Sequence, residues 1–121
     1  MKKFFTAMIF CLMICSTAAA QDIYATSKDG YDYYVMTETV NERNYTANVS
    51  GKNYPVKEVT CDVKLIRNGR LIETQAWKFS SFNYRTWQYS FTDSTGREQR
   101  GSFSALNSLY AQQILETAGR N

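Results

Sequence analysis

VKEVTCDVKLIRNGRLIETQAWKFS, residues 56–80, is the stretch that decides the fold of this chain of 121 residues. Asn68 and Gly69 lie near its middle, between two runs that are rich in β-branched and aromatic residues. Asn-Gly is the residue pair that a two-residue type I′ turn favours, because both positions need a positive φ. We therefore expect a β-hairpin with strands Val56–Arg67 and Arg70–Ser80.

The two-residue loop also fixes which residues of this hairpin face each other. Counting outward from the turn predicts three cross-strand pairs: Ile66 with Leu71, Leu65 with Ile72, and Lys64 with Glu73. The same count predicts a core face made of Val59, Cys61, Val63, Leu65, Ile72, Thr74 and Ala76. Trp77 and Phe79 then fall on the polar face, so either a β-bulge changes the alternation or an aromatic patch lies at the surface.

Similar patterns on both sides of the hairpin predict the rest of a sheet. Further strands are expected at Ile23–Thr26, Tyr31–Val40, Tyr45–Ser50, Trp87–Phe91 and Arg97–Gly101, with a turn at Asn41–Asn44. After an N-cap at Ser102 or Ser104, helical spacing links Leu106, Leu109, Tyr110, Ile114 and Ala118. The sequence predicts an α+β fold, in which an antiparallel β-meander of five to six strands carries a C-terminal helix packed on the sheet.

Residues 1–20 have the pattern of a secretory signal peptide. Lys2 and Lys3 precede an apolar run at Phe4–Ile14, and Ala18 and Ala20 form an A-x-A cleavage site. We expect cleavage after Ala20, so that residues 21–121 form a single domain in the periplasm, the cell envelope or the extracellular space. The alternative is a lipoprotein, in which Cys15 is the acylated residue.

Composition narrows the range of functions. The chain holds 14 Lys and Arg against 11 Asp and Glu, and loss of Lys2 and Lys3 leaves 12 against 11, a net charge of +1 without basic clusters. Nucleic acid is therefore not expected as a partner. The sequence contains no His, which excludes Ser-His and Cys-His nucleophile pairs and most catalytic zinc sites. We expect no enzyme, cofactor or metal, the alternative being a hydrolase with two catalytic carboxylates.

Aromatic side chains are the remaining candidates for function. The series Trp77, Phe79, Phe82, Tyr84, Trp87 and Tyr89 is a candidate contact surface for a protein or a glycan, because such rings bury area while polar neighbours supply hydrogen bonds. Ordinary packing inside the sheet is the alternative reading of the same residues. Cys61 is expected to be an inward-facing small hydrophobe.

Two resemblances add to this reading. The element order, with tyrosines at Tyr31–Tyr34, Trp-Gln-Tyr-Ser at Trp87–Ser90 and a closing helix, resembles small exported bacterial proteins related to the surface-adhesin E family. That resemblance implies an envelope protein without a transmembrane segment that binds a macromolecule of the envelope or the extracellular matrix. Ser50–Tyr54 resembles the S-G-x-x-Y loop of C-type lysozyme inhibitors, which implies that Ser50 and Tyr54 contact a cell-wall hydrolase, unless the five residues form an ordinary turn.

Overall fold

A computed structural model describes residues 22–83, 86–105 and 107–119 of the chain. Its elements are β1 (Asp22–Lys28), β2 (Tyr31–Val49), β3 (Lys52–Arg67), β4 (Arg70–Phe82), β5 (Trp87–Thr92), β6 (Glu98–Ser102) and α1 (Leu109–Gly119). The strands form one antiparallel sheet in the order β1-β2-β3-β4-β5-β6. The predicted β-meander with a C-terminal helix is confirmed. The predicted signal peptide, Tyr84 and Leu106 lie outside the described residues.

Strands β3 and β4 form the expected hairpin, but β4 contains one residue that has no partner in β3. Asn68 and Gly69 have φ values of 52° and 74°, as a type I′ turn requires. Ile66 faces Leu71, which confirms the first predicted pair. Beyond it the pairs are Leu65 with Glu73 and Lys64 with Thr74, so Ile72 is the extra residue of a β-bulge.

This bulge reverses the alternation of β4. Trp77 and Phe79 are 1% and 0% exposed and belong to the core, whereas Ile72 is 47% exposed. The predicted pairs of Leu65 with Ile72 and of Lys64 with Glu73 were wrong, as was the core placement of Ile72, Thr74 and Ala76. The physical reason is that one added residue moves every following side chain of a strand to the other face.

Strand β2 does not end at the predicted turn. The segment Asn41–Asn44 continues the strand, and its polar side chains are exposed. A wide irregularity precedes it: Met36 faces Asp62 and Asn41 faces Thr60, so residues 37–40 lie opposite one residue of β3. The Thr39 hydroxyl stabilises this irregularity, because it donates to the Met36 carbonyl (2.7 Å) and accepts from the Asp62 N–H (2.8 Å). The predicted turn at Asn41–Asn44 was therefore wrong: these residues are paired with β3 directly after the bulge.

Beyond the bulge, β2 and β3 continue as a two-stranded hairpin, which we call the ribbon (residues 41–60). Its turn is Ser50-Gly51, with φ values of 53° and 82°. The paired part of β4 ends at Phe82, which faces Val56. Among the described strands, β3 residues 52–55 therefore have only β2 beside them. The end of the ribbon extends past the rest of the sheet.

The hydrophobic core is formed by sheet and helix residues together. Ala111, Ile114 and Ala118 of α1 are fully buried and share one cluster with Val35 and Phe79. The helix begins at Leu109, later than the predicted N-caps at Ser102 and Ser104, because β6 and two turns occupy that stretch. The buried Ser108 directly precedes the helix, and its carbonyl accepts the Gln112 N–H at 3.0 Å.

We expect the corrected alternation to be visible in stability measurements on two single variants. Trp77→Ala should lower the free energy of unfolding by about 3–5 kcal/mol, because it empties a large site in the core. Ile72→Ala should change it by about 0.5 kcal/mol or less, because this side chain is almost half exposed. Urea unfolding followed by circular dichroism measures both, and equal losses in the two variants would contradict the placement of the bulge at Ile72.

Candidate functional site

Most of the aromatic residues predicted as a contact surface belong to the core. Trp77 and Phe79 are buried, and the Trp77 Nε1–H donates to Gln75 Oε1 at 2.9 Å. Trp87 and Tyr89 are partly buried and pack against the same cluster. The alternative reading of this series, ordinary packing in the sheet, describes these four residues.

Tyr89 is held by close packing rather than presented to solvent. Its ring is stacked on Trp77, with centroids 5.5 Å apart, and its hydroxyl lies over Gly101 on β6. A Cβ atom at position 101 would collide with that hydroxyl. The glycine therefore gives Tyr89 its place at this edge of the sheet.

The other two predicted site residues lie on the ribbon. Ser50 is exposed in the turn at its end. Tyr54 is half-buried, and its ring centroid is 5.0 Å from that of Phe82 on β4. The two predicted sites therefore meet at one point, where Tyr54 of the loop site packs on the exposed Phe82 of the aromatic series, while Trp77, Phe79, Trp87 and Tyr89 lie in or against the core.

The aromatic side of the ribbon lies on the sheet face opposite to the core cluster. In β3, every second residue from Val59 to Leu65 belongs to the core shared with α1. Strict alternation then puts Tyr54, Val56 and Glu58 on the other face, which we call the outer face. The apolar pattern of β3 thus changes faces between Val56 and Val59.

Side chains from three strands meet on this part of the outer face. Cross-strand pairs share a face, so Tyr45 and Phe82 flank Val56, and Ala47 lies beside Tyr54. We call this set the ribbon patch: Tyr45, Ala47, Tyr54, Val56 and Phe82. Val56 is only 5% exposed, but Tyr45 and Phe82 keep 40% and 43% of their surface accessible. Contiguous exposed apolar side chains of this kind are typical of interaction surfaces.

A charged group borders the ribbon patch. Glu58 is 6% exposed and is paired with Arg43 Nη2 at 2.7 Å and with Lys78 Nζ at 3.2 Å. The Arg43 guanidinium also lies over the Tyr45 ring, 4.5 Å from its centroid. Burial alone would raise the pKa of Glu58, but hydrogen bonds from Lys78 and Arg43 outweigh burial and hold it below the ordinary value. The patch therefore has a fixed polar border.

Further polar groups lie next to this border on the outer face. A shallow cavity of ≈ 210 Å³ is lined by Lys78, Ser80, Gln88, Ser90 and Arg100, together with Tyr89, Glu98 and Gly101. Its lysine, arginine and amide groups donate hydrogen bonds, and its hydroxyl groups both donate and accept. Exposed rings beside such groups suit the contact of a protein or a glycan.

A second cavity lies at the other end of the molecule, near the start of α1. It measures ≈ 290 Å³ and its lining includes Tyr31, Tyr33, Phe91, Tyr110 and Glu73. Cations of the chain itself lie over two of these rings: Arg67 is 3.8 Å from the Tyr31 centroid and Lys28 is 4.8 Å from that of Tyr110. The ring faces that a ligand would use are partly covered, so the ribbon patch is the stronger candidate.

The thiol and the possible metal ligands of the described residues were the remaining candidates for a chemical site. Cys61 is 3% exposed, and burial together with Asp62 raises the pKa of its thiol to about 12, which keeps it protonated. Its predicted role as an inward-facing hydrophobe is confirmed. In residues 22–83, 86–105 and 107–119, no three His, Cys, Asp or Glu side chains stand close enough to hold a metal ion.

Sequence reasoning named Phe82 as part of the aromatic series but missed Tyr45 and Arg43. It placed Tyr45 in a half-buried strand, and it treated Arg43 as part of a turn. One signal was present: the apolar residues of β3 occupy odd positions from Val59 to Leu65 but even positions at Tyr54 and Val56. Because β3 pairs without interruption, that change of parity marks a second apolar surface on the opposite face.

Comparison with protein-family models, with curated protein sequences and with solved structures finds no match to this chain. The described helix α1 is not long and apolar enough to cross a membrane. The ribbon patch is therefore identified as the candidate site from its geometry alone.

The ion pairs of Glu58 predict that the free energy of unfolding depends on pH. Its folded-state pKa is lowered, so its stabilisation is present above the ordinary value of 4.5 and is lost as pH falls through the folded-state pKa. Glu58→Gln should lower the free energy of unfolding by about 1 kcal/mol at pH 7, a small figure because Arg43 and Lys78 are largely solvated. Below the folded-state pKa the difference should vanish.

Urea titrations at several pH values measure this difference, with Glu38→Gln as the exposed control. A Glu58→Gln loss that stays constant down to the lowest pH would contradict the ionic origin of the effect.

Proposed function

We propose that this chain is an exported, non-enzymatic binding module that recognises a protein or glycan of the cell envelope or extracellular matrix through the ribbon patch. The observation that carries the proposal is the exposure of Tyr45 and Phe82 on the outer face, opposite to the core shared with α1. A small domain that leaves two aromatic rings at its surface loses the stabilisation that their burial would give. Recognition of a partner is a reason to keep them there.

The chemistry around the ribbon patch supports recognition rather than turnover. Aromatic and arginine side chains are the residue types that contribute most to binding at protein interfaces. The guanidinium of Arg43 is already ordered by Glu58 and by the Tyr45 ring, so less side-chain freedom is lost when a partner binds. Cleavage of a glycan by the purified chain at an enzyme-like rate would contradict this proposal.

The remaining parts of the proposal concern export and the role of the helix. Export is supported by Lys2, Lys3 and the apolar run at Phe4–Ile14. We further propose that α1 packs on the face of the sheet opposite to the ribbon patch. Its support is the ring of Tyr110, whose centroid lies 5.8 Å from that of Trp77. In this arrangement one face stabilises the domain and the other is available to a partner.

The ribbon patch is tested with the double variant Tyr54→Ala, Phe82→Ala. Binding of the chain to peptidoglycan fragments, matrix glycans and matrix proteins is measured by surface plasmon resonance. For a ligand that the natural chain binds, the variant should bind at least about tenfold more weakly, because two aromatic anchors are removed. Neither residue lies on β2, so both substitutions leave that strand of the ribbon unchanged.

A matched control is Leu71→Ala, Ile72→Ala, which removes two exposed apolar side chains at the β3–β4 turn. This control should bind as the natural chain does. Equal losses in both double variants, full binding by Tyr54→Ala, Phe82→Ala in its folded form, or no binding to any probe would contradict the proposal.

Inhibition of a cell-wall hydrolase is a second candidate, favoured by the exposed Ser50-Gly51 turn at the end of the ribbon. A projecting turn of this kind fits into an enzyme cleft. The chain should then inhibit a C-type lysozyme stoichiometrically, and Ser50→Asn, which tolerates the positive φ, should weaken inhibition. Undiminished lysozyme activity in the presence of excess chain would exclude this candidate.

A further inference from the structure

The ribbon has an outer edge that no described strand pairs with. Residues 41–49 of β2 pair with β3 on one side. On the other side β1 pairs only with Tyr31–Met36, and it begins at Asp22, opposite Met36. Nine consecutive residues of β2 thus form an open edge within the described part of the sheet.

The turn shows which backbone groups point outward along this edge. In a two-residue hairpin the flanking residues, here Val49 and Lys52, exchange hydrogen bonds, and hydrogen-bonded and non-hydrogen-bonded pairs then alternate. The residues whose N–H and C=O groups point away from β3 are Glu42, Asn44, Thr46 and Asn48. Pro55 agrees with this assignment, because it lacks an N–H and faces Thr46 in a non-hydrogen-bonded pair.

Most of this edge lacks the features that usually prevent strand pairing. From Asn41 to Val49 its register is continuous, the segment contains neither Pro nor Lys, and its charged residues, Glu42 and Arg43, lie at the end next to the bulge. The opposite edge of the sheet is shorter, since β6 has five residues. An edge left open over nine residues is a template for another strand.

We propose that the outer edge of β2 pairs with the same edge of a second copy of this chain, antiparallel and centred on Tyr45. The four outward-facing residues are symmetric about position 45. In this register Glu42 faces Asn48 of the second copy, and Asn44 faces Thr46 of the second copy, each pair occurring twice. Because a hydrogen-bonded pair exchanges two bonds, the four pairs form about eight backbone hydrogen bonds.

Side chains fit the same register. Arg43 faces Ala47 of the second copy, so neither arginines nor glutamates lie opposite each other, as they would in registers centred on positions 43 or 42. Each Tyr45 ring faces its counterpart on the outer face, where 40% of its surface is otherwise exposed. The two sheets join into one, and the two ribbon patches become neighbours. This inference holds whatever ligand the ribbon patch binds.

The first test measures self-association of the full chain by sedimentation velocity over a series of concentrations. Thr46→Pro removes an outward N–H that the ribbon itself does not use, and Thr46→Val is the control that keeps it. The natural chain and Thr46→Val should form dimers, and Thr46→Pro should raise the dimer dissociation constant at least about tenfold, because two hydrogen bonds are lost per dimer.

The second test fixes the register and does not depend on the folding of the proline variant. In a non-hydrogen-bonded pair the Cα atoms lie about 4.5 Å apart, within the range that a disulfide spans. Tyr45→Cys should therefore form a disulfide-linked dimer on mild oxidation, whereas Ala47→Cys, displaced from its own counterpart, should stay reduced. Cys61 is buried and should contribute no cross-link, and both variants also carry Cys11→Ser and Cys15→Ser so that no other thiol takes part.

Each other outcome overturns the proposal. A natural chain that remains monomeric at all concentrations does so, whether or not its Thr46 amide is protected from hydrogen exchange. A dimer in which Tyr45→Cys and Ala47→Cys cross-link equally, or not at all, would lie on another surface or in another register.

Discussion

The indole ring of Trp77 contacts four other aromatic rings, and the arrangement of the sheet and helix depends on these contacts. It stacks on Phe79, Tyr89 and Phe91, with centroids 4.5–5.5 Å apart, and meets Tyr110 of α1 edge-on. Strands β4 and β5 and the helix are therefore joined through one side chain. Tyr33, Phe79 and Phe91 are buried with it among aliphatic side chains such as Val35 and Val63, so stacked rings supply part of the buried apolar surface.

Two irregularities in the sheet make the division of its faces possible. The extra residue Ile72 moves Trp77 and Phe79 into the core. The longer bulge at residues 37–40 lets the two halves of β2 follow β3 although their own alternation differs. Strand β3 passes both places in an unbroken alternation from Tyr54 to Leu65. It carries core residues at one end and the exposed ribbon patch at the other, on opposite faces.

The fold could be predicted from the sequence where neighbouring residues determine the local structure. Asn68-Gly69 predicted the hairpin, and the helical spacing of Tyr110, Ile114 and Ala118 predicted α1. The bulge at Ile72 has no local signature, because its cause is the burial of Trp77 several residues away. The sign of it in the sequence was that Trp77 fell on the polar face of the expected hairpin. The candidate site was harder to predict, since it joins Tyr45, Tyr54 and Phe82 from three strands. Tyr54 and Phe82 were singled out in advance, but as parts of two different sites.

The separation of the ribbon from the aromatic core affects how this protein can evolve. Residues 48–53 pair only with one another and contribute no member to the core cluster, so the end of the ribbon can open without unfolding the rest of the domain. Substitutions there meet weak selection for stability. The surface around Tyr54 can therefore diversify faster than the core, and new specificities can arise on an unchanged scaffold.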